Sequence, residues 1–132
     1  MNYKSHIILL FLLSNSISFS QGCDSISLDN INNPGLYTYE TIVENDGMRD
    51  GPDYFGSTLY YPIDAEGPFS SLVLVPGFVS PQSSVSAWGP YLASHGIIVM
   101  TIGTNTLTDL PQDRANALLD AVQTLQEENN RE

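Results

Sequence analysis

Two apolar, β-branched segments lie close together in the middle of this chain, within residues 71–105. The first, residues 72–75 (LVLV), stops at a Pro-Gly pair, and such a run suits a strand buried on both faces of a parallel sheet. The second, residues 97–102 (IIVMTI), predicts another buried strand. A segment with helical spacing separates them. Strand, helix and strand within about 35 residues form a βαβ unit with parallel strands, so the fold class is α/β.

The predicted helix between these strands presents Trp88, Leu92 and Ala93 on one face. This spacing predicts that Trp88 packs in the core. The helix should end at His95 and Gly96, because glycine readily adopts the left-handed conformation that stops a helix.

The segments on either side complete a short α/β pattern. Residues 37–44 and 55–61 predict two strands, and the turn-forming residues between them predict antiparallel neighbours. A further helix should begin near Pro111, with Asp109 and Asp113 near the positive end of its dipole. Its apolar residues recur at three- and four-residue steps and predict a stripe that lies on the sheet: Ala115, Leu118, Leu119, Val122 and Leu125.

The N-terminus has the pattern of a secretory signal peptide. Lys4 precedes an apolar run at residues 7–13, and small residues follow near the expected cleavage site. We therefore expect residues 1–22 to be a signal peptide, residues 23–36 a mobile N-terminal arm, and the product to be secreted. An apolar run of seven residues is far shorter than the roughly 20 that a lasting transmembrane anchor needs.

Cys23 is the single cysteine of the chain, so no internal disulfide is possible within these residues. The order Ser20-Gln21-Gly22-Cys23 also resembles a lipoprotein processing site, although the usual leucine three residues before the cysteine is absent. Lipidation of Cys23 and a thiol that is free or paired outside this chain are both left open.

The charge balance narrows the range of partners. Fifteen acidic residues against four Lys and Arg give a formal net charge of −11. Such a surface repels nucleic-acid phosphates and anionic lipid, so an uncharged substrate fits better. No pattern predicts a metal site or a cofactor.

Several uncommon motifs carry a family resemblance. In chain order they are Phe55-Gly56-Ser57, Tyr60-Tyr61-Pro62, Val75-Pro76-Gly77-Phe78, Gln82-Ser83-Ser84, Trp88-Gly89-Pro90, Leu92-Ala93-Ser94-His95-Gly96, Thr104-Asn105 and Asp109-Leu110-Pro111 with Arg114. This succession resembles the bacterial cutinases and PET hydrolases of the α/β-hydrolase fold. The resemblance implies that residues 37–132 are a partial domain of that family, whose members hydrolyse carboxylic esters, polyesters among them, without a cofactor.

The resemblance also shows what the chain lacks. An α/β-hydrolase carries its nucleophile in a G-x-S-x-G elbow, with the acid and histidine further on, and no such elbow occurs in these 132 residues. We therefore expect the N-terminal portion of a serine ester hydrolase that is inactive alone, with none of the catalytic triad. Ser83 and Ser84 are predicted to cap the following helix, and His95 to sit at its end.

The resemblance still implies one functional role for residues of this chain, in the oxyanion hole and substrate cleft. By resemblance, the backbone N–H of Phe78 is one donor of the oxyanion hole and its ring is a substrate contact, with Gln82 as a second substrate-binding residue at the same rim. The alternative is a hydrophobic loop residue that packs under the helix. Gly103 replaces the family's usual aspartate. Asp109 and Arg114 are predicted to be a helix start and a surface pair.

A second hypothesis belongs to another class of protein. The chain would then be a small exported α/β module that binds an apolar ligand or partner without catalysis. An open reading frame with a G-x-S-x-G elbow beyond Glu132 would separate the two hypotheses.

Overall fold

The computed structural model describes residues 31–131, which contain four strands, two α-helices and two short 3₁₀ turns. In order, the strands and α-helices are β1 (Tyr39–Val43), β2 (Ser57–Pro62), β3 (Ser70–Leu74), α1 (Trp88–Ser94), β4 (Ile97–Ile102) and α2 (Pro111–Glu128). The expected signal peptide and Cys23 lie outside the described residues. From Asn33 onward the described chain is one compact unit.

The sheet has the strand order β1-β2-β4-β3. β1 and β2 are antiparallel, β2 and β4 are antiparallel, and β3 pairs with β4 in parallel. α1 connects the two parallel strands, as a βαβ unit requires. The predicted α/β class is therefore confirmed: antiparallel leading strands, a βαβ unit and a further helix.

One face of the sheet carries the main hydrophobic core. Successive residues of a strand point to opposite faces, which places Met100 and Ile102 of β4 together on the side of α2. They pack with Leu59 of β2, with two small residues of α2, and with two residues of the β1–β2 loop: Ala117, Ala121, Met48 and Tyr54. The loop residues Met48 and Tyr54 were not foreseen as core.

α1 packs on the opposite face, against β4 and β2. Gly89 of α1 contacts the Tyr60 ring of β2. A Cβ at this position would come within 2.3 Å of the ring, so glycine lets the ring approach the helix. Ala93 is fully buried, whereas 56% of the Trp88 surface is exposed. The prediction that Trp88 packs in the core is wrong, because the small residue beside it makes the contact.

α2 begins at Pro111, as predicted, and Asp113 Oδ2 accepts a hydrogen bond of 3.1 Å from the Leu110 N–H. The prediction for its buried face is only partly right: Leu125 packs against the core and Leu118 is half-buried, but Ala115, Leu119 and Val122 are exposed. The residues that it buries are Ala117, Asp120, Ala121 and Thr124, whereas Leu119 of the predicted stripe is 71% exposed.

A polar network explains this choice of face. Arg49, in the β1–β2 loop, donates to Asp120 Oδ1 at 2.5 Å and to Thr124 Oγ1 at 2.8 Å. The Tyr54 hydroxyl lies 2.9 Å from the same Thr124 oxygen, and the Asp53 N–H donates to Asp120 Oδ2 at 2.9 Å. The hydrogen bond to Asp120 raises the pKa of Arg49. Since buried polar groups need partners, this loop selects the polar face of α2.

The segment before β1 is bonded to the end of α1. The Gly35 N–H donates to Ser94 Oγ at 2.8 Å, and the Tyr37 N–H donates to Ser94 O at 3.0 Å. His95 directly follows α1, as expected, and Gly96 has a positive φ of 84°. The domain boundaries proposed above, at residues 22 and 36, stay predictions.

Candidate functional site

The carboxyl ends of β3 and β4 lie at one edge of the sheet, because the two strands are parallel neighbours. The loop from β3 to α1 and the loop from β4 to α2 both leave from this edge. β2 is antiparallel to β4 and starts there, since Ser57 pairs with Ile102. In open α/β sheets this edge forms the ligand crevice, so a functional site is expected here.

Phe78 lies at the tip of the loop that leaves β3, and 63% of its surface is exposed. The Ser80 N–H donates to Gly77 O at 3.1 Å and so fixes the plane of the Gly77–Phe78 peptide. In a trans peptide the N–H points opposite to the C=O, so the Phe78 N–H is directed away from this turn. Among residues 31–131 it has no acceptor.

The next residue, Val79, has φ 57°, which is an outlier for a β-branched side chain. Its N–H donates to Leu107 O at 2.8 Å, and this bond joins the loop after β3 to the loop after β4. Strained backbone of this kind persists only where the surrounding contacts determine it. The conformation around Phe78 is thus imposed by the neighbouring loop.

Arg114, in the first turn of α2, binds three backbone carbonyls of these loops. Its Nη1 donates to Pro76 O, its Nη2 to Leu107 O at 3.2 Å and its Nε to Asp109 O at 3.0 Å. The expected surface pair therefore differs in its atoms, because the guanidinium binds Asp109 through the backbone oxygen rather than the carboxylate.

The Asp109 carboxylate instead closes its own loop. It accepts hydrogen bonds from Thr106 Oγ1 at 2.5 Å and from the Thr106 N–H at 3.2 Å. These bonds, the side-chain bond foremost, hold the pKa of Asp109 below its usual value. The loop contact therefore persists until the pH falls below the ordinary range of aspartate and through that lowered pKa.

Gln82 follows Phe78 in a short 3₁₀ turn and is half-buried. Its Nε2 donates to Thr101 O at 2.8 Å and lies 3.2 Å from Thr101 Oγ1. The amide nitrogen thus anchors the turn to the end of β4. Contact between Gln82 and a substrate stays a prediction.

Gly103 lies where β4 meets the chain that precedes β2. A Cβ at this position would come within 2.3 Å of Phe55 O, so the Phe55 backbone occupies the space in which a side chain would begin. Two hydrogen bonds join the segments, from Phe55 N to Gly103 O at 3.3 Å and from Gly103 N to Gly56 O at 2.9 Å. The Phe55 side chain is exposed at this edge, although the sequence indicated Phe55 only as part of a family motif and not as a site residue.

The two serines beyond Gln82 have local roles. Ser84 Oγ donates to Pro81 O at 2.8 Å, while Ser83 is exposed and its carbonyl accepts from Ser86 Oγ at 3.1 Å. Within the described part of the chain no side chain caps α1, so the prediction that Ser83 and Ser84 cap it is wrong. His95 lies against Tyr91 at 4.8 Å between ring centroids, and its Nε2 lies 3.3 Å from Asn33 O. Neither serine is bonded to His95.

Within residues 31–131, no group of three or more His, Cys, Asp and Glu side chains is arranged to hold a metal ion. Over the same part of the chain, no helix combines the length and apolar character needed to cross a membrane.

Comparison with known proteins decides the family. Residues 34–132 match the family described as PET hydrolase-like. The chain belongs to this family. Bis(hydroxyethyl) terephthalate hydrolase of Streptomyces coelicolor is 47% identical over 68 residues, which is 51% of this chain and 22% of that protein.

Two further relatives match longer stretches of this chain. Lipase 1 of a Moraxella species is 35% identical over 101 residues, covering 73% of this chain and 31% of its own length. Cutinase 2 of Thermobifida cellulosilytica is 40% identical over 84 residues, covering 61% and 32%. The chain thus spans less than a third of the length of these curated relatives. It is a partial match to an ester hydrolase family.

Proposed function

We propose that this chain supplies the front part of a secreted carboxylic ester hydrolase and contributes one oxyanion-hole donor, the Phe78 N–H. The main support is the position of this N–H in the loop after β3, where it has no acceptor among the described residues. The chain's membership of the PET hydrolase-like family supports the same assignment. When an ester carbonyl is attacked, its oxygen becomes negative, and a backbone donor aimed at it stabilises the transition state by about 3 kcal/mol.

The proposal assigns the remaining chemistry to residues outside this stretch. The 132 residues contain no G-x-S-x-G elbow. The serines nearest the site donate to backbone carbonyls or are exposed, and His95 lies at the end of α1. The nucleophile, the acid and the histidine are therefore needed from elsewhere, and the chain alone is inactive.

The proposed substrate is an uncharged carboxylic ester, with polyester as one form of it. The names of the relatives, a terephthalate ester hydrolase, a lipase and a cutinase, support this class. The exposed Phe78 ring would contact the acyl or aromatic part of the ester, with Gln82 beside it. The net charge of −11 favours a neutral substrate over an anionic one.

We also propose export of the chain through the signal pattern of residues 1–22. Export is tested by measuring the mass of the protein that is recovered outside the cells that express it. A product beginning near residue 23 supports export, a mass increased by acyl chains on Cys23 indicates a lipoprotein, and retention of Met1 contradicts both.

A cavity supports the second candidate, a non-catalytic module that binds an apolar ligand. It has a volume of about 720 Å³ and lies between α2 and the sheet. Its apolar lining includes Ile42, Leu59, Phe69, Val73 and Leu125. It does not include Phe78, so ligand binding here is separable from the oxyanion role.

The test uses two proteins. One is the 132-residue chain, and the other is the full chain followed by the part of Cutinase 2 that lies beyond the matched segment, called here the fusion protein. Both are assayed with p-nitrophenyl butyrate and with a fluorophosphonate that labels activated serine. We expect hydrolysis and labelling of the fusion protein alone. Hydrolysis by the chain itself would overturn the assignment of the triad to other residues.

The same two proteins separate the candidates. A folded fusion protein that hydrolyses no ester would contradict the hydrolase proposal. Saturable binding of a fluorescent fatty acid by the chain alone, lost in Leu59→Gln, would then favour the apolar-ligand module.

A further inference from the structure

The Arg114 side chain holds the loop that carries Phe78 from one side. Arg114 donates to Pro76 O, two residues before Phe78, and to Leu107 O in the neighbouring loop. Leu107 O also accepts the Val79 N–H at 2.8 Å, one residue after Phe78. The guanidinium therefore lies at the junction of the contacts that flank Phe78 on both sides.

The chemistry of this junction requires arginine. The bonded atoms are carbonyl oxygens of Pro76, Leu107 and Asp109, all of which are acceptors. A guanidinium is a planar fork of five N–H donors, so it can serve three carbonyls from different directions at once. A lysine ammonium is a compact point charge and cannot span the same three oxygens.

Two successive peptide planes before Phe78 are fixed, and Arg114 fixes the first of them. Arg114 sets the Pro76 carbonyl, and the Ser80 N–H sets the Gly77 carbonyl at 3.1 Å. Because the Gly77–Phe78 peptide is planar, these contacts determine where the Phe78 N–H points. A hydrogen-bond donor of an oxyanion hole works only if it is aimed at the developing charge before the reaction.

We propose that Arg114 is a positioning residue for ester hydrolysis, which holds the Phe78 N–H in the direction needed by the oxyanion. The inference rests on the proposed function of Phe78. Arg114 does not touch the substrate; it acts through the backbone of residues 76–79 and of Leu107. Its loss should lower kcat and leave KM nearly unchanged, because the ground-state ester depends little on this donor.

The test compares Arg114→Ala and Arg114→Lys in the fusion protein, with p-nitrophenyl butyrate as substrate. We expect both variants to lose about 10–100-fold in kcat with KM within about twofold, since small misplacements of reacting groups have effects of this size. Added guanidinium ion at millimolar concentration should restore part of the kcat of Arg114→Ala. A variant with unchanged kcat, or a loss confined to KM, would overturn the inference.

Arg131→Ala is the matched control. Arg131 lies just after the end of α2, where it pairs with Glu128 and binds Asp46 O instead of the loops around Phe78. Its kcat should equal that of the unaltered fusion protein. If Arg114→Ala does not fold, as judged by near-UV circular dichroism, Arg114→Lys decides the test by itself.

A second measurement uses the 132-residue chain without any activity assay. Hydrogen exchange of the Val79 amide should be faster by about tenfold or more in Arg114→Lys, because the Leu107 carbonyl that accepts it is no longer held. Equal exchange would contradict the role of Arg114 in holding the loop. A folded fusion protein that is inactive with Arg114 intact would contradict the proposed function instead, so the two failures are distinguishable.

Discussion

Arg49 and Arg114 both join α2 to a loop, but they do so with different partners. Arg49 binds the carboxylate of Asp120 at 2.5 Å and the hydroxyl of Thr124 at 2.8 Å, both on the buried face of the helix. Arg114 projects from the start of the helix and binds backbone carbonyls of the loops after β3 and β4. One arginine completes a buried side-chain network, and the other determines the path of loop backbone.

The two arginines therefore have different roles: Arg49 mainly stabilises the fold, and Arg114 mainly positions a loop. The Asp120 side chain is 8% exposed and its carboxylate accepts from Arg49 and from the Asp53 N–H, so removal of one member leaves a buried polar group without its partner. Of the carbonyls bound by Arg114, those of Leu107 and Asp109 belong to an exposed and a half-buried residue, where water can replace a lost donor, whereas Pro76 is buried. We therefore expect the Arg49 network to govern the free energy of unfolding and Arg114 to govern the aim of the Phe78 N–H.

Among changes that remove a side-chain contact, the largest effect on stability is expected for Asp120→Ala. This change leaves the Arg49 guanidinium without its carboxylate and should lower the free energy of unfolding by about 3 kcal/mol. Urea unfolding of the 132-residue chain measures it. Glu127→Gln is the control, because Glu127 is half-exposed and 3.8 Å from Arg49, and should cost less than about 0.5 kcal/mol. Equal losses in the two variants would show that the buried pair is not the anchor.

The smallest effect is expected on the opposite face of α2. Leu119 is 71% exposed, so Leu119→Gln should change the free energy of unfolding by less than about 0.5 kcal/mol. Ala121→Gln, on the fully buried face, is the contrasting variant and should prevent cooperative unfolding or lower its midpoint strongly. A large loss of stability for Leu119→Gln would mean that the outer face is packed in this chain, contrary to its exposure.

The positions of the strands were predictable because their signals are local, but β3 is an edge strand with Leu72 exposed and is not buried on both faces as predicted. Alternation in residues 37–44, the apolar runs that became β3 and β4, and proline and glycine at the helix ends all act over a few residues. The buried face of α2 was not predictable in this way. It is selected by Arg49, whose partner Asp120 lies 71 residues further along the chain, and the leucine spacing gives no sign of this contact.

The residues of the candidate site also depend on contacts that local sequence patterns do not reveal. Phe78 was found through the resemblance to a family, since nothing in residues 75–78 by themselves indicates an N–H without an acceptor. The role of Arg114 depends on a bond to Pro76 across 38 residues. Trp88 was misplaced because its neighbour Gly89, having no side chain, takes the contact with Tyr60. A prediction that assigns core positions to large apolar residues overlooks a glycine that contacts a neighbouring ring.

The most direct test of the account replaces the Phe78 amide by an ester in the fusion protein. Incorporation of phenyllactic acid at this position removes the N–H and keeps the ring. We expect kcat for p-nitrophenyl butyrate to fall by about 10²–10³-fold with little change in KM, as for the loss of one oxyanion donor. Phe78→Ala, which keeps the N–H, should mainly raise KM. An ester-substituted protein that hydrolyses the substrate at the original rate would contradict the assignment of Phe78 as an oxyanion donor.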